Sequence, residues 1–211
     1  MTDKTIYIIR HGQTEFNKQH IIQGSGVDSS LNDTGQAQAK AFFRHYEEVS
    51  FDAVLVSGLI RTQQTVQPFI DKGLPWEKWN EINEIGWGIH EGQKSEPWMV
   101  ESYKQTIAAW GRGEFDASVE QGESAAKLAA RLGTFVEHIK NRPEKQLLVC
   151  SHGRAMRCLM CVLQRQHLRE MENYKHANTG LYKVDFQNGI FNIVLANDTR
   201  HLNDLKQTTG V

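Results

Sequence analysis

Three cysteines in 211 residues are too few for a disulfide framework, and Cys150, Cys158 and Cys161 all fall within one apolar stretch. They read as buried, reduced thiols, which suits a cytoplasmic protein. Cys158 and Cys161 have the C-x-x-C spacing, but no second Cys/His pair flanks them in a zinc pattern, so neither metal nor redox chemistry is expected of them. An excess of either charge is also lacking. The 24 Lys and Arg against 25 Asp and Glu leave a net charge of −1. That excludes the basic stripe of a general nucleic-acid binder and the polybasic segment that holds a protein on a membrane surface. No run approaches the ~20 apolar residues of a membrane span. The apolar run near the N-terminus, Ile6 to Ile9, passes straight into Arg10 and His11. It is too short for a secretory leader, and none is expected.

What is present is a globular composition, with 39% hydrophobic and 23% charged residues. The length suits one domain over 1–211 that buries roughly 70% of its unfolded surface. Residues 5–9, 53–56 and 147–150 are short continuous apolar runs, expected as buried strands. Helical spacing follows each of them. Asn32, Asp33 and Thr34 offer caps ahead of Ala39, Phe42, Phe43 and Tyr46. Residues 59–71 read as a second helix. Ser124 precedes the strongest amphipathic stretch, ended by Pro143, and residues 154–164 form a last apolar helix. Two strand-like runs, 181–186 and 190–195, flank an Asn188-Gly189 turn and predict a hairpin. Strands alternating with helices, in runs too continuous for a one-sided sheet, predict an α/β three-layer sandwich with a mostly parallel central sheet and helices on both faces. All five tryptophans fall within 76–121, which breaks the rhythm and is read as an insertion near the active site. It is either a satellite hydrophobic cluster, an aromatic lid or an interface compatible with a homodimer.

In such folds ligands bind beyond the carboxyl ends of the strands. Arg10-His11-Gly12 follows the first strand, Ser57-Gly58-Leu59-Ile60-Arg61 the second and Ser151-His152-Gly153 the third. Two guanidiniums and two imidazoles therefore converge on one edge. Guanidinium forks match the oxygens of a dianionic tetrahedral group, and the backbone N–H groups after each histidine are expected to face it. Metal binding is disfavoured, because the arginines would repel a divalent cation. Arg44, Arg131, Arg154 and Arg157 read as solvated helix positions or local ion-pair partners. His20, His45, His138, His167 and His201 read as surface residues, and His90 stays a candidate for substrate contact.

The segment RHGQTEFN resembles the signature of the histidine phosphatase superfamily, the phosphoglycerate mutase-like proteins. Gln23-Gly24, Ser57-x-Leu59-x-Arg61, Glu84-Ile85-x-x-Gly88-x-x-Glu91-Gly92, Gly122-Glu123-Ser124 and Ser151-His152-Gly153 follow in the family's order. The resemblance implies a phosphomonoester hydrolase acting through a phosphohistidine on a small phosphorylated metabolite, with no metal and no cofactor. His11 would be the nucleophile. Arg10, Arg61 and His152 would bind the phosphoryl oxygens. Asn17, Gln23 and Gly24 would complete the pocket, and Glu84 would be the proton donor, with Glu81 and Glu91 as alternatives. The arginine-free stretch NEINEIGWGIHEG resembles the phosphatase branch, which includes the bisphosphatase acting on fructose 2,6-bisphosphate. Alternatives are a cofactor-dependent phosphoglycerate mutase and a non-catalytic phosphate-binding module.

Overall fold

The computed structural model describes residues 3–203 and 205, so the ends of the expected 1–211 domain lie outside the described residues. Its centre is a six-stranded sheet in the order β3-β2-β4-β1-β5-β6. The strands are β1 Lys4–Arg10, β2 Ala53–Val56, β3 Trp76–Lys78, β4 Gln146–Ser151, β5 Leu181–Gln187 and β6 Ile190–Asp198. The first four run parallel to one another, whereas β5 and β6 are antiparallel additions. The expected runs are thus strands, and the Asn188-Gly189 turn closes the expected hairpin, with both residues at positive φ.

The apolar runs are continuous because both faces of the sheet are covered. Ile6, Ile8, Leu147 and Val149 pack on one side against α5 (Ala125–Asn141) and α6 (Gly153–Leu163). Tyr7, Ile9, Leu148 and Cys150 pack on the other with residues of α2 (Asp33–Tyr46) and α3 (Ile60–Asp71). The local signals act as read. Asn32 Oδ1 accepts the Gly35 N–H to cap α2, and Ser124 Oγ accepts the Lys127 N–H to cap α5. The three cysteines are buried and free. Among the described residues no helix is long and apolar enough to cross a membrane.

The 76–121 segment corrects one boundary. Trp76–Lys78 is not part of an insertion: it is the edge strand of the sheet, parallel to β2. Three exposed residues carry no apolar pattern, so nothing in the sequence marks them as a strand. Nor is the remainder a satellite cluster. Trp87, Trp110 and Val119 are buried in the main core beside α5 and α6, while α4 (Pro97–Arg112) lies over the carboxyl ends of the strands and contributes to a cleft there.

Candidate active site

Strand order brings the predicted residues together. β1 lies beside β4, with Arg10 in register with Ser151, and β2 lies on the other side of β4, with Val56 in register with Cys150. The residues that follow, His11, Ser57 and His152, therefore share one edge. The two histidine rings stand 5.2 Å apart between centroids. A cleft of about 330 Å³ opens above them, lined in part by Arg10, His11, Asn17, Gln23 and Glu84.

His11 is 3% exposed. Its Nδ1 lies 2.7 Å from the Gly12 carbonyl, which can only accept, so Nδ1 carries the proton and the lone pair sits on Nε2. Burial holds its pKa well below the ordinary 6.5, with the charges of Arg61 and Arg10 adding in the same direction. The flanking arginines do oppose protonation, as the sequence suggests, but burial is the larger cause. His152 is fully buried and likewise held neutral by burial first and by Arg61 second. Its Nδ1 accepts the Arg61 Nε–H at 3.2 Å, so its own proton is on Nε2, 2.8 Å from Ser57 Oγ. Thr62 Oγ1 donates to the Leu59 carbonyl, which leaves Ser57 Oγ to donate to Thr62 Oγ1. This run of hydroxyls fixes the tautomer of His152.

Arg10 Nη1 donates to the His176 carbonyl, whereas its buried Nε has no protein acceptor. Burial lowers its pKa to about 10, which leaves it charged at neutral pH. Asn17 Oδ1 accepts from the Thr14 N–H and from Asn178 Nδ2. Its amide N–H groups are thereby left for the cleft it lines. Glu84 Oε1 accepts the N–H groups of Ile85 and Ala155, and Oε2 accepts that of Arg154. Its carboxyl is thus seated on the first turn of α6, one residue past His152.

Several expectations change. Arg61 and His152 belong to the cluster but do not line the cleft. Arg61 is 0% exposed and donates to the Val27 and Gly24 carbonyls as well as to His152, which leaves two of its N–H groups outside these three bonds. Gly24 does not line the cleft either. It allows a close approach: a Cβ there would meet Glu91 Oε1 at 1.8 Å. Gln23 lines the cleft, but its amide is tied to Thr14 and Ser29. Four of the backbone N–H groups after the histidines are taken up within the protein, whereas Gly153, directly after His152, lines the cleft. The N–H groups of Gly12 and Gln13 donate to Thr65 and Gln38, and those of Arg154 and Ala155 to Glu84. Glu91 ties Gly26 to Trp87 through their N–H groups, away from the cleft wall. His90 is buried against Trp98 and does not reach the cleft. His201 is buried rather than exposed and bonds to Thr179.

Trp87, Tyr103, Arg154 and His176 are among the wall residues not singled out as site residues from the sequence. Arg154 is not solvated. It is 7% exposed, donates to Tyr103 Oη at 2.6 Å and pairs with Glu172, which also pairs with Arg157. His176 is held neutral, its pKa pulled down to about 3 by burial and then by Arg10 and Arg157. A search of residues after strands misses it for a topological reason. β5 runs antiparallel to β1, so the residues before β5, not after it, arrive at the site.

The model of the histidine phosphatase superfamily (branch 1) matches residues 6–199. The chain is 33% identical over 162 residues to 6-phosphofructo-2-kinase/fructose-2,6-bisphosphatase 1 of Mus musculus, covering 76% of this chain and 32% of that protein. It is 30% identical over 154 residues to fructose-2,6-bisphosphatase TIGAR B of Danio rerio, covering 71% and 56%. It therefore matches about a third and just over half of these two relatives. The alpha-ribazole phosphatase from Shigella flexneri shares the fold, with a TM-score of 0.80 at 22% identity over 92% of this chain and 96% of that one.

Proposed function

Because the chain belongs to the histidine phosphatase superfamily, branch 1, we propose that it hydrolyses phosphomonoesters of small metabolites through a phosphohistidine on His11. One observation carries this reading: a neutral His11 offers an unprotonated Nε2 beside two guanidiniums, and Glu84 lines the same cleft.

The phosphoryl group of the ester sits against Arg10 and Asn17, whose free N–H groups bond its oxygens, while the charge of Arg61 acts from beneath. The His11 Nε2 lone pair attacks phosphorus. The bond to the ester oxygen breaks, and that oxygen takes its electron pair together with a proton from the Glu84 carboxyl. The resulting Glu84 carboxylate then takes a proton from water. The water oxygen attacks phosphorus, the P–N bond returns its electrons to Nε2, and inorganic phosphate leaves with Glu84 protonated again. Two easier displacements replace one hard one, and positive charge fixed in advance opposes the charge gathered in each transition state. His152 orients Arg61 by accepting its Nε–H, with Ser57 holding the ring.

The substrate is small. A cleft of about 330 Å³ is near the lower limit of ligand pockets. Above the phosphoryl position its wall mixes Ile21, Ile22, Trp87 and Val100 with Tyr103, Arg154 and His176. The segment carrying Trp87 and α4 acts as the wall that selects the leaving group.

Brief reaction with a radiolabelled phosphate ester, quenched in alkali, is expected to leave label on the protein in an acid-labile, alkali-stable form. His11→Ala is expected to abolish both the label and turnover. Unchanged hydrolysis by that variant refutes the reading.

A further inference from the structure

Glu84 lies in a stretch with little regular structure. Only a single 3-10 turn, Asn80–Ile82, precedes it, and the backbone of 83–86 is neither helix nor strand. Something other than secondary structure must hold it. Arg131, on α5, does so with every N–H it has. Nη1 donates to the carbonyls of Glu81 at 2.6 Å and Asn83 at 2.8 Å, and Nη2 donates to the carbonyl of Glu84 at 3.1 Å. The two remaining N–H groups grip Glu123, with Nε to Oε1 at 2.7 Å and Nη2 to Oε2 at 2.8 Å. Glu123 in turn holds the far side of the same stretch. Its Oε2 accepts the Gly86 N–H, and its own N–H donates to the Gly86 carbonyl at 2.7 Å.

All five guanidinium donors are thus used, three on the backbone carbonyls of Glu81, Asn83 and Glu84 and two on a carboxylate that bonds Gly86. Both side chains are about one-fifth exposed, so the pair is shielded more than a surface ion pair is. Neither touches the cleft. The carboxyl of Glu84 is seated independently, on the first turn of α6. Backbone and carboxyl are therefore fixed from two different helices.

We propose that Arg131 and Glu123 are positioning residues for the proton transfer: together they clamp 81–86 so that the Glu84 carboxyl meets the leaving oxygen. This rests on the reading of Glu84 as the proton donor. A lysine at 131 keeps the charge but cannot span three carbonyls and a carboxylate. Glutamine at 123 keeps the shape but weakens the grip.

The test compares two substrates. An alkyl phosphate needs its leaving oxygen protonated, whereas p-nitrophenyl phosphate expels a phenolate that does not. Small displacements of a catalytic group cost up to about a hundredfold. Arg131→Lys and Glu123→Gln are expected to lower kcat/KM for the alkyl phosphate by roughly 10- to 100-fold and for p-nitrophenyl phosphate by no more than about threefold. Glu84→Gln, as the reference, is expected to show the same selectivity more strongly. Equal losses on both substrates, or no loss on either, overturn the proposal. So does loss of native circular dichroism in both variants, since the pair would then hold the fold rather than the acid. If wild-type enzyme turns over neither ester, the hydrolase reading itself fails. If Glu84→Gln shows no selectivity while wild type is active, the assignment of Glu84 fails. Each of these two results is distinct from a failure of the clamp alone.

Discussion

The proposed role of His11 as nucleophile needs an uncharged imidazole, and its surroundings keep it so. It is buried between two guanidiniums, and each of these three influences disfavours a further positive charge. The sign follows directly: a base whose pKa is lowered keeps its lone pair as acid is added. In an NMR titration the ring signals of His11 and His152 are expected to stay at their neutral positions as pH falls past 6.5. A midpoint at 6.5 for either ring would contradict the packing described. Arg10, His11, Asn17, Gln23, Glu84 and His152, picked out by strand-end position and motif, all lie in or directly beneath the cleft. Their hydrogen-bond roles were not readable. That Arg61 spends three donors on carbonyls and a histidine, or that Asn17 turns its amide N–H groups to the cleft, depends on Val27, Gly24 and Asn178, which are distant in sequence.

At the scale of elements, local chemistry and local geometry agree. Caps at Asn32 and Ser124 start their helices where polar side chains precede periodic apolar ones. The Asn188-Gly189 turn has φ of 52° and 80°, the positive values a tight hairpin requires. At Gly189 a Cβ would meet nothing within 4 Å, so a substitution there reports the backbone conformation alone. Gly189→Ala is expected to lower stability by about 1–2 kcal/mol in urea unfolding. Its kcat/KM is expected to match wild type, because the turn lies at the end of the sheet opposite the cleft. A variant as stable as wild type would show that the turn is not held at positive φ. Local signals failed for β3, whose membership in the sheet comes only from pairing with β2.

For the whole molecule, burying several neutral histidines makes stability depend on pH. His176 has its pKa lowered from 6.5 to about 3 in the folded protein. The unfolded chain therefore binds a proton that the folded chain refuses between those values. Its contribution is fully present above 6.5 and is lost as pH falls towards 3. His11 and His152 act in the same direction. The urea midpoint is expected to drop as pH is lowered below 6.5, and His176→Gln is expected to reduce the slope of stability against pH by about one proton. An unaltered slope would place His176 in solvent rather than in the cleft wall.

The order of apolar runs, caps and turns along the chain was enough to specify the layered α/β architecture. Hydrophobic periodicity is a property of neighbours in sequence, and the parallel buried strands β1, β2 and β4 each lead directly into candidate site residues. Only tertiary structure decided which of those residues face the cleft and what supports them. His176 enters because β5 is antiparallel to β1, Arg154 is drawn inward by Glu172 and Tyr103, and Arg131 reaches across to the backbone of Glu84. Each of these depends on helices and loops meeting across the sheet. No local pattern encodes that, because the partners are joined by packing rather than by spacing.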